Sequence, residues 1–240
     1  MSTLTQCRRV LDKAWNFQRE FGAWRGVLEL HYRLVNYYHD RRLGIETSGM
    51  VKLADLGIDR EESVEYTPIG YSAVYRALRC VPIPAPKISF LDYGSGKGRV
   101  IAAAATYPFK KVLGVEISVD LNRIAKANID RMRHRRAEHV EVIRSDAVDF
   151  ILPDDINVIF LFNPFIGKTL KRVVGNIHDS YTTRPRSIYI LFFNKIHFER
   201  IIKDAGYGWL RRIHYMHFYP NYSCGIYKIG NGTGITGIGS

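Results

Sequence analysis

Ile88-Ser-Phe-Leu-Asp-Tyr-Gly-Ser-Gly-Lys-Gly-Arg-Val100 is the stretch around which the rest of the chain can be arranged. An apolar run ends in Asp92, and Gly94, Gly96 and Gly98 follow at alternate positions. A small-residue run, Val100-Ile-Ala-Ala-Ala-Ala105, comes next and suits a helix lying close on a sheet. The pattern predicts strand, tight turn, helix. Glycines at the turn can take positive φ and let the backbone approach a ligand closely. The helix behind them offers unpaired N–H groups at its N-terminus. Two nucleotide signatures fail here. A P-loop needs glycine where Leu91 stands and Ser or Thr where Gly98 stands, and a dinucleotide fingerprint needs its third glycine at Arg99.

Downstream of this turn, strand-like and helix-like runs alternate. The strand-like runs are 88–93, 111–116, 139–144, 156–163 and 187–194, and the helix-like runs are 98–107, 119–136, 166–180 and 196–205. Such alternation predicts a parallel sheet with helices on both faces. Two β-rich runs, 209–219 and 223–229, are joined by Pro220-Asn-Tyr222 and read as a closing antiparallel hairpin. The expected fold is therefore α/β, a doubly wound, mostly parallel seven-stranded sheet with a C-terminal antiparallel hairpin. Upstream, apolar and aromatic positions between Thr3 and Arg42 recur three or four apart, which predicts an amphipathic helix that Gly22 or Gly26 can interrupt. Pro82, Pro84 and Pro86 predict an extended connector into the first strand. The chain thus divides into a helical extension and link over 1–65, a main domain over 66–229 and a glycine-rich tail over 230–240 expected to be disordered.

Composition narrows the setting. The chain has 240 residues, with 35 Lys and Arg against 23 Asp and Glu, a net charge of +12 that favours encounters with polyanions. Arg131, Arg133, Arg135 and Arg136 can complement a helix C-terminus or, with the N-terminal arginines, form a polyanion-binding face. Cys7, Cys80 and Cys224 are odd in number and widely spaced, which argues against a disulfide framework or zinc site. The histidines show no metal-ligand spacing, so no metal is expected. The N-terminus lacks a signal-peptide core, and no apolar run approaches the roughly 18 residues of a membrane span. A cytoplasmic address is expected.

The acid-x-Gly-x-Gly-x-Gly pattern of 92–98 resembles motif I of the class I S-adenosylmethionine-dependent methyltransferases. The resemblance implies that Asp92 approaches the methionyl end of that cofactor while Gly94, Gly96 and Gly98 admit it along their backbone. It also implies a ribose-binding role for Glu116, which ends Val112-Leu-Gly-Val-Glu116, and an adenine-binding role for Asp146 and Ala147. Asp146 can equally cap the short segment after it. In Asn163-Pro164-Phe165 the pattern is similar to the catalytic loop of enzymes that methylate nitrogen, although Ile166 stands where a second proline is usual. Upstream, Tyr66-Thr-Pro68 resembles the loop that folds over the cofactor in the seven-stranded histone-lysine methyltransferases and their bacterial relatives, so Tyr66 and Thr67 are cofactor candidates. Tyr66, Phe165 and Phe193 are candidates to line an acceptor channel. The acceptor implied is a nitrogen on a protein lysine or a nucleic-acid base. Two alternatives are a basic nucleic-acid- or membrane-binding protein with a vestigial pocket, and a NAD-dependent oxidoreductase.

Overall fold

The computed structural model describes residues 23–49, 51, 67–193, 202, 206–218 and 222–230. Two expected features therefore lie outside the described residues: the helix start before Ala23 and the disordered tail beyond Gly230. The helix over 196–205 also lies outside them, save for Ile202.

Thirteen described elements follow one another: α1 (Ala23–Leu43), α2 (Tyr71–Arg79), a 3₁₀ turn (Ala85–Lys87), β1 (Ser89–Tyr93), α3 (Arg99–Ala105), β2 (Lys111–Glu116), α4 (Val119–Asp130), β3 (His139–Arg144), β4 (Val158–Phe162), α5 (Gly167–Thr183), β5 (Tyr189–Phe193), β6 (Leu210–Phe218) and β7 (Tyr222–Ile229). The seven strands form one sheet in the order β3-β2-β1-β4-β5-β7-β6. Strands β1 to β5 pair in parallel, and β7 pairs antiparallel with both β5 and β6. The α/β alternation and the closing hairpin are thus as the sequence predicts.

The central strands read as unbroken apolar runs because both faces are covered. Phe90, Val158, Phe160, Leu191 and Phe193 enter one core layer with α2 and α3. Leu91, Ile159, Leu161, Ile190 and Phe192 enter the other with α5. Each fully buried aromatic or leucine here contributes about 2 kcal/mol of apolar transfer. The run of alanines in α3 is wholly buried, which lets that helix lie tight on the sheet. Gly114 of β2 completes this fit, since a Cβ there would sit 2.0 Å from Cδ1 of Ile101.

Three local expectations are corrected. Helix α1 continues through Gly26 without a break, while Gly22 lies outside the described residues. The proline connector is extended at Pro84 but closes into a 3₁₀ turn over Ala85–Lys87, with Ile88 N–H donating to the Ala85 carbonyl. Helix α4 stops at Asp130 and not at 136, because the following backbone finds tertiary partners. Arg133 N donates to the Leu43 carbonyl at 2.8 Å, and Arg136 N and Ala137 N both donate to that of Ala105.

Candidate functional site

The carboxyl ends of β1, β2 and β4 converge on the glycine turn. Gly94, Gly96 and Gly98 all have positive φ, at 75°, 55° and 85°. Gly94 N and Ser95 N donate to the Val115 carbonyl at 2.9 and 3.0 Å, which pins the turn to the end of β2. At Gly94 the third dimension matters as well as φ: a Cβ would lie 2.4 Å from Cβ of Pro164. The glycine turn and the Asn163-Pro164 loop are therefore in direct contact.

Two carboxylates sit at this edge. Asp92 is 2% exposed, and its side chain forms no hydrogen bond or ion pair among the described residues. Burial, joined by the charge of Glu116, pushes the Asp92 carboxyl well above the usual carboxylate range. Glu116 accepts Gly96 N at 2.8 Å on one oxygen and Ser118 N at 2.9 Å on the other. Burial raises its pKa too, opposed by those N–H groups. Each carboxylate oxygen can accept more than one bond, so Glu116 keeps capacity for hydroxyl donors. Facing carboxylates that burial drives toward protonation suit a ligand carrying positive charge and O–H donors.

Asn163 adds a third feature. Its φ is +45°, uncommon for a residue with a side chain. Its Oδ1 is buried and has no hydrogen-bond partner among the described residues. A buried amide oxygen without a donor costs about 1–3 kcal/mol, a cost that a ligand supplying the donor would relieve. Ser95 Oγ in the glycine turn and Asn122 Nδ2 in the first turns of α4 are likewise buried and without a partner among the described residues.

The remaining sequence-predicted residues divide. Asp146 accepts Val148 N at 3.1 Å, so its carboxylate closes the turn after β3 as a cap would. Ala147 is buried in the α5-side core layer. Phe165 is also buried in that layer, where it anchors the Asn163-Pro164 loop. Phe193 is fully buried, with its ring 5.0 Å from that of Phe160, so it lines no open channel. Thr67 is exposed at the start of the segment leading to α2. Tyr66 lies outside the described residues.

One cluster at the site was not legible as functional in the sequence. Arg99, the first residue of α3, is 4% exposed and reaches back to the N-terminal region. Its guanidinium donates to Thr47 Oγ at 2.7 Å, to the Ile69 carbonyl at 3.0 Å and to Asp40 at 3.4 Å. Asp40, near the end of α1, also accepts Thr47 N, Thr47 Oγ, Ser48 Oγ and Tyr71 OH. Lys97 Nζ donates to the Ser48 carbonyl at 3.0 Å, and Asn128 Nδ2 joins the carbonyls of Glu46 and Lys97. The 45–49 segment, a polar link by composition, is thus strapped against the glycine turn. The available signal was Arg99 itself: a cation at a helix N-terminus opposes the helix dipole unless a carboxylate compensates it.

No family model matches this chain, and no curated protein matches it. Solved structures do. An RNA methyltransferase from Salinibacter ruber, in complex with S-adenosyl-L-homocysteine, superposes with a TM-score of 0.51 at 16% identity, over 70% of this chain and 97% of that one. A protein of the NADB-Rossmann superfamily from Streptococcus agalactiae gives 0.51 at 13% identity, over 68% and 69%. A ribosomal protein L11 methylase from Lactobacillus delbrueckii subsp. bulgaricus gives 0.50 at 13% identity, over 65% and 76%. The chain has the seven-stranded Rossmann-like architecture of S-adenosylmethionine-dependent methyltransferases.

Proposed function

We propose that the protein is an S-adenosylmethionine-dependent methyltransferase acting on a nitrogen acceptor. The observation that carries the reading is Asn163, whose buried, unpartnered Oδ1 stands on a strained backbone in contact distance of the glycine turn through Pro164. An amide oxygen so placed can accept a hydrogen from an incoming amine and orient its lone pair. The pattern at 163–165, and with it the likeness to histone-lysine methyltransferases at 66–68, supports a protein lysine or a nucleic-acid base as the source of that nitrogen. Among similar folds, the names of two solved structures refer to RNA and to a ribosomal protein, so the architecture leaves both acceptors open.

The site's chemistry suits the cofactor. When bound, S-adenosylmethionine supplies a methyl group on a cationic sulfur, and the protein's contribution is orientation and exclusion of water. Asp92 would face the ammonium, with its raised pKa relieved by that charge. Glu116 would accept the ribose hydroxyls while Gly96 N and Ser118 N hold its carboxylate in place. The side-chain-free faces of Gly94, Gly96 and Gly98 leave room for close backbone approach. Asp146 and Ala147 would receive the adenine beyond β3, and Thr67 and Tyr66 would approach from the segment before α2. Phe165 contributes by fixing the Asn163-Pro164 turn. The missing third glycine at Arg99 disfavours NAD, because the Arg99 side chain is buried in the Asp40 cluster.

Calorimetric titration of S-adenosylmethionine and, separately, NAD tests this, with Asp92→Ala as control. Saturable binding of the first alone, lost in the variant, is expected. Binding of neither ligand, or of NAD alone, overturns the proposal.

A further inference from the structure

Two arginine-rich segments distant in sequence meet on one flank. The end of α1 carries Arg41 and Arg42, and the loop after α4 carries Arg131, Arg133, Arg135 and Arg136. The two segments are packed together: Arg133 N donates to the Leu43 carbonyl at 2.8 Å, and a Cβ at Gly44 would lie 3.4 Å from both Cγ and Nε of Arg133. All six arginines are exposed, and none forms an ion pair among the described residues. This distinguishes them from the chain's other basic groups that do pair, such as Arg33 with Glu29, Lys111 with Asp155 and Arg184 with Asp154. Glu46, Asp130 and Glu138 are the exposed acids next to these segments in sequence, three against six, and Asp40 is buried with Arg99.

The loop's shape belongs to the argument. Helix α4 ends early, and His134 takes a φ of +61°, so the loop does not continue as a helix that would scatter its arginines around an axis. Backbone bonds from Arg133 to Leu43 and from Arg136 to Ala105 fix it at two points while the guanidinium groups remain in solvent. Only Met132 of the loop's centre turns inward, packed against the core. The cluster also touches the cofactor edge: Arg131 NH2 donates to Asn128 Oδ1 at 2.6 Å, and Asn128 holds the Lys97 carbonyl of the glycine turn at 2.8 Å.

We propose that this flank binds the phosphodiester backbone of a nucleic acid. Every basic member is arginine, whose planar fork pairs with phosphate oxygens two at a time, whereas lysine acts as a point charge. A membrane surface would ask for an apolar wedge among the charges; the loop exposes none, and the exposed Leu34 and Tyr38 lie along α1 a turn or more before Arg41 and Arg42, away from the four loop arginines in sequence. The net charge of +12 supplies long-range attraction, and the six exposed guanidiniums, of which Arg131 also donates to Asn128 and Arg41 lies over the Tyr37 ring, supply the contacts. This inference stands apart from the methyl-transfer reading, since it needs neither Asn163 nor a bound cofactor.

The test is fluorescence anisotropy of the full chain with a labelled mixed-sequence single-stranded RNA across a salt series. Six contacts at about 0.7 counterions each predict a slope of log K against log salt of about −4. In the R42Q/R133Q/R135Q/R136Q variant two contacts remain, so the slope falls to about −1.4 and affinity drops at least about tenfold. The charge-matched variant K110Q/K171Q/R172Q/R211Q, with all four positions exposed elsewhere, should retain the parent slope. A quadruple lysine variant at the four arginine positions separates fork from charge and should bind more weakly than the parent. Far-ultraviolet circular dichroism checks that each variant is folded. The proposal is overturned if RNA fails to bind at low salt, or if both glutamine variants weaken binding equally. Tighter binding to phosphatidylcholine–phosphatidylserine vesicles than to RNA, lost in the first variant, would overturn it in favour of a membrane surface.

Discussion

Gly94→Ala tests the contact between the glycine turn and the Asn163-Pro164 loop. The substitution has two separable costs. The first is backbone strain, because φ is +75° and an alanine there pays about 1–2 kcal/mol. The second is steric: the new Cβ would meet Cβ of Pro164 at 2.4 Å, where ordinary contact begins at 3.4 Å, so the loop must retreat by about 1 Å. Overpacking of that kind costs about 1–3 kcal/mol. Gly98→Ala is the control, since its φ is +85° but its Cβ would lie 3.3 Å from that of Ala125, close to ordinary contact. Urea denaturation should therefore show a loss of about 1–2 kcal/mol for Gly98→Ala and about 2–5 kcal/mol for Gly94→Ala. Adding Pro164→Gly removes the clashing atom, so a double-mutant cycle should return a favourable coupling of about 1–3 kcal/mol. Equal losses for the two alanine variants, or a coupling near zero, would refute the reasoning. The same 1 Å displacement would carry Asn163 with it, and under the proposed function misplacement on that scale should lower turnover about 100-fold.

Further tests address the site groups singly. Asn163→Ala should cripple methyl transfer while sparing cofactor affinity, and any stability cost, up to about 1–2 kcal/mol, should come from alanine at a φ of +45° and not from Oδ1, which has no partner to lose among the described residues; equal loss of affinity and turnover would count against its acceptor-positioning role. Asp92 has a folded-state pKa above its unfolded value, so its ionised form costs stability at neutral pH, and the cost vanishes as pH falls through the ordinary carboxylate range. Asp92→Asn should accordingly raise the urea midpoint at pH 7, with a gain that shrinks toward about pH 4; a gain independent of pH would show that ionisation is not the cause. Binding of a cationic cofactor should release protons over the same interval, seen as a dependence of the calorimetric heat on the buffer's ionisation enthalpy. Asp40→Ala leaves the Arg99 guanidinium buried without a carboxylate and should cost about 3–5 kcal/mol. Combining it with Arg99→Met should cost less than Asp40→Ala alone, and strict additivity would show that the pair does not act as a unit.

The elements legible in the sequence were those specified by short-range pattern. The glycine spacing of 94–98, the apolar strands and the terminal hairpin each carry their cause within a few residues. Strand ends were read within two residues because Lys87, Asn157 and their neighbours change the hydrogen-bonding pattern locally. The end of α4 was not legible, because its periodicity runs on past Asp130 while the loop's N–H groups are claimed by Leu43 and Ala105. Nor was the Arg99 cluster, whose partners lie 30 to 59 residues away along the chain. Phe165 and Phe193 illustrate a third difficulty: an aromatic beside a site and an aromatic in the core look alike until the fold decides which face each presents. The unpartnered Asn163 oxygen is likewise a property of packing alone.

The order of the strands leaves β3 and β6 at the two rims of the sheet. Each rim is a row of N–H and C=O groups that another chain could extend into a fibre. Both are discouraging templates. Strand β3 presents exposed His139, Glu141 and Arg144, and β6 presents exposed Arg211, Arg212, His214 and His217 with a register shift between Arg212 and His214. Charge repels an approaching copy, and the irregularity spoils the straight ladder it would need. A protein whose middle strands are almost purely apolar thereby resists aggregation at its margins, and the same basic residues that raise its net charge contribute to its colloidal stability.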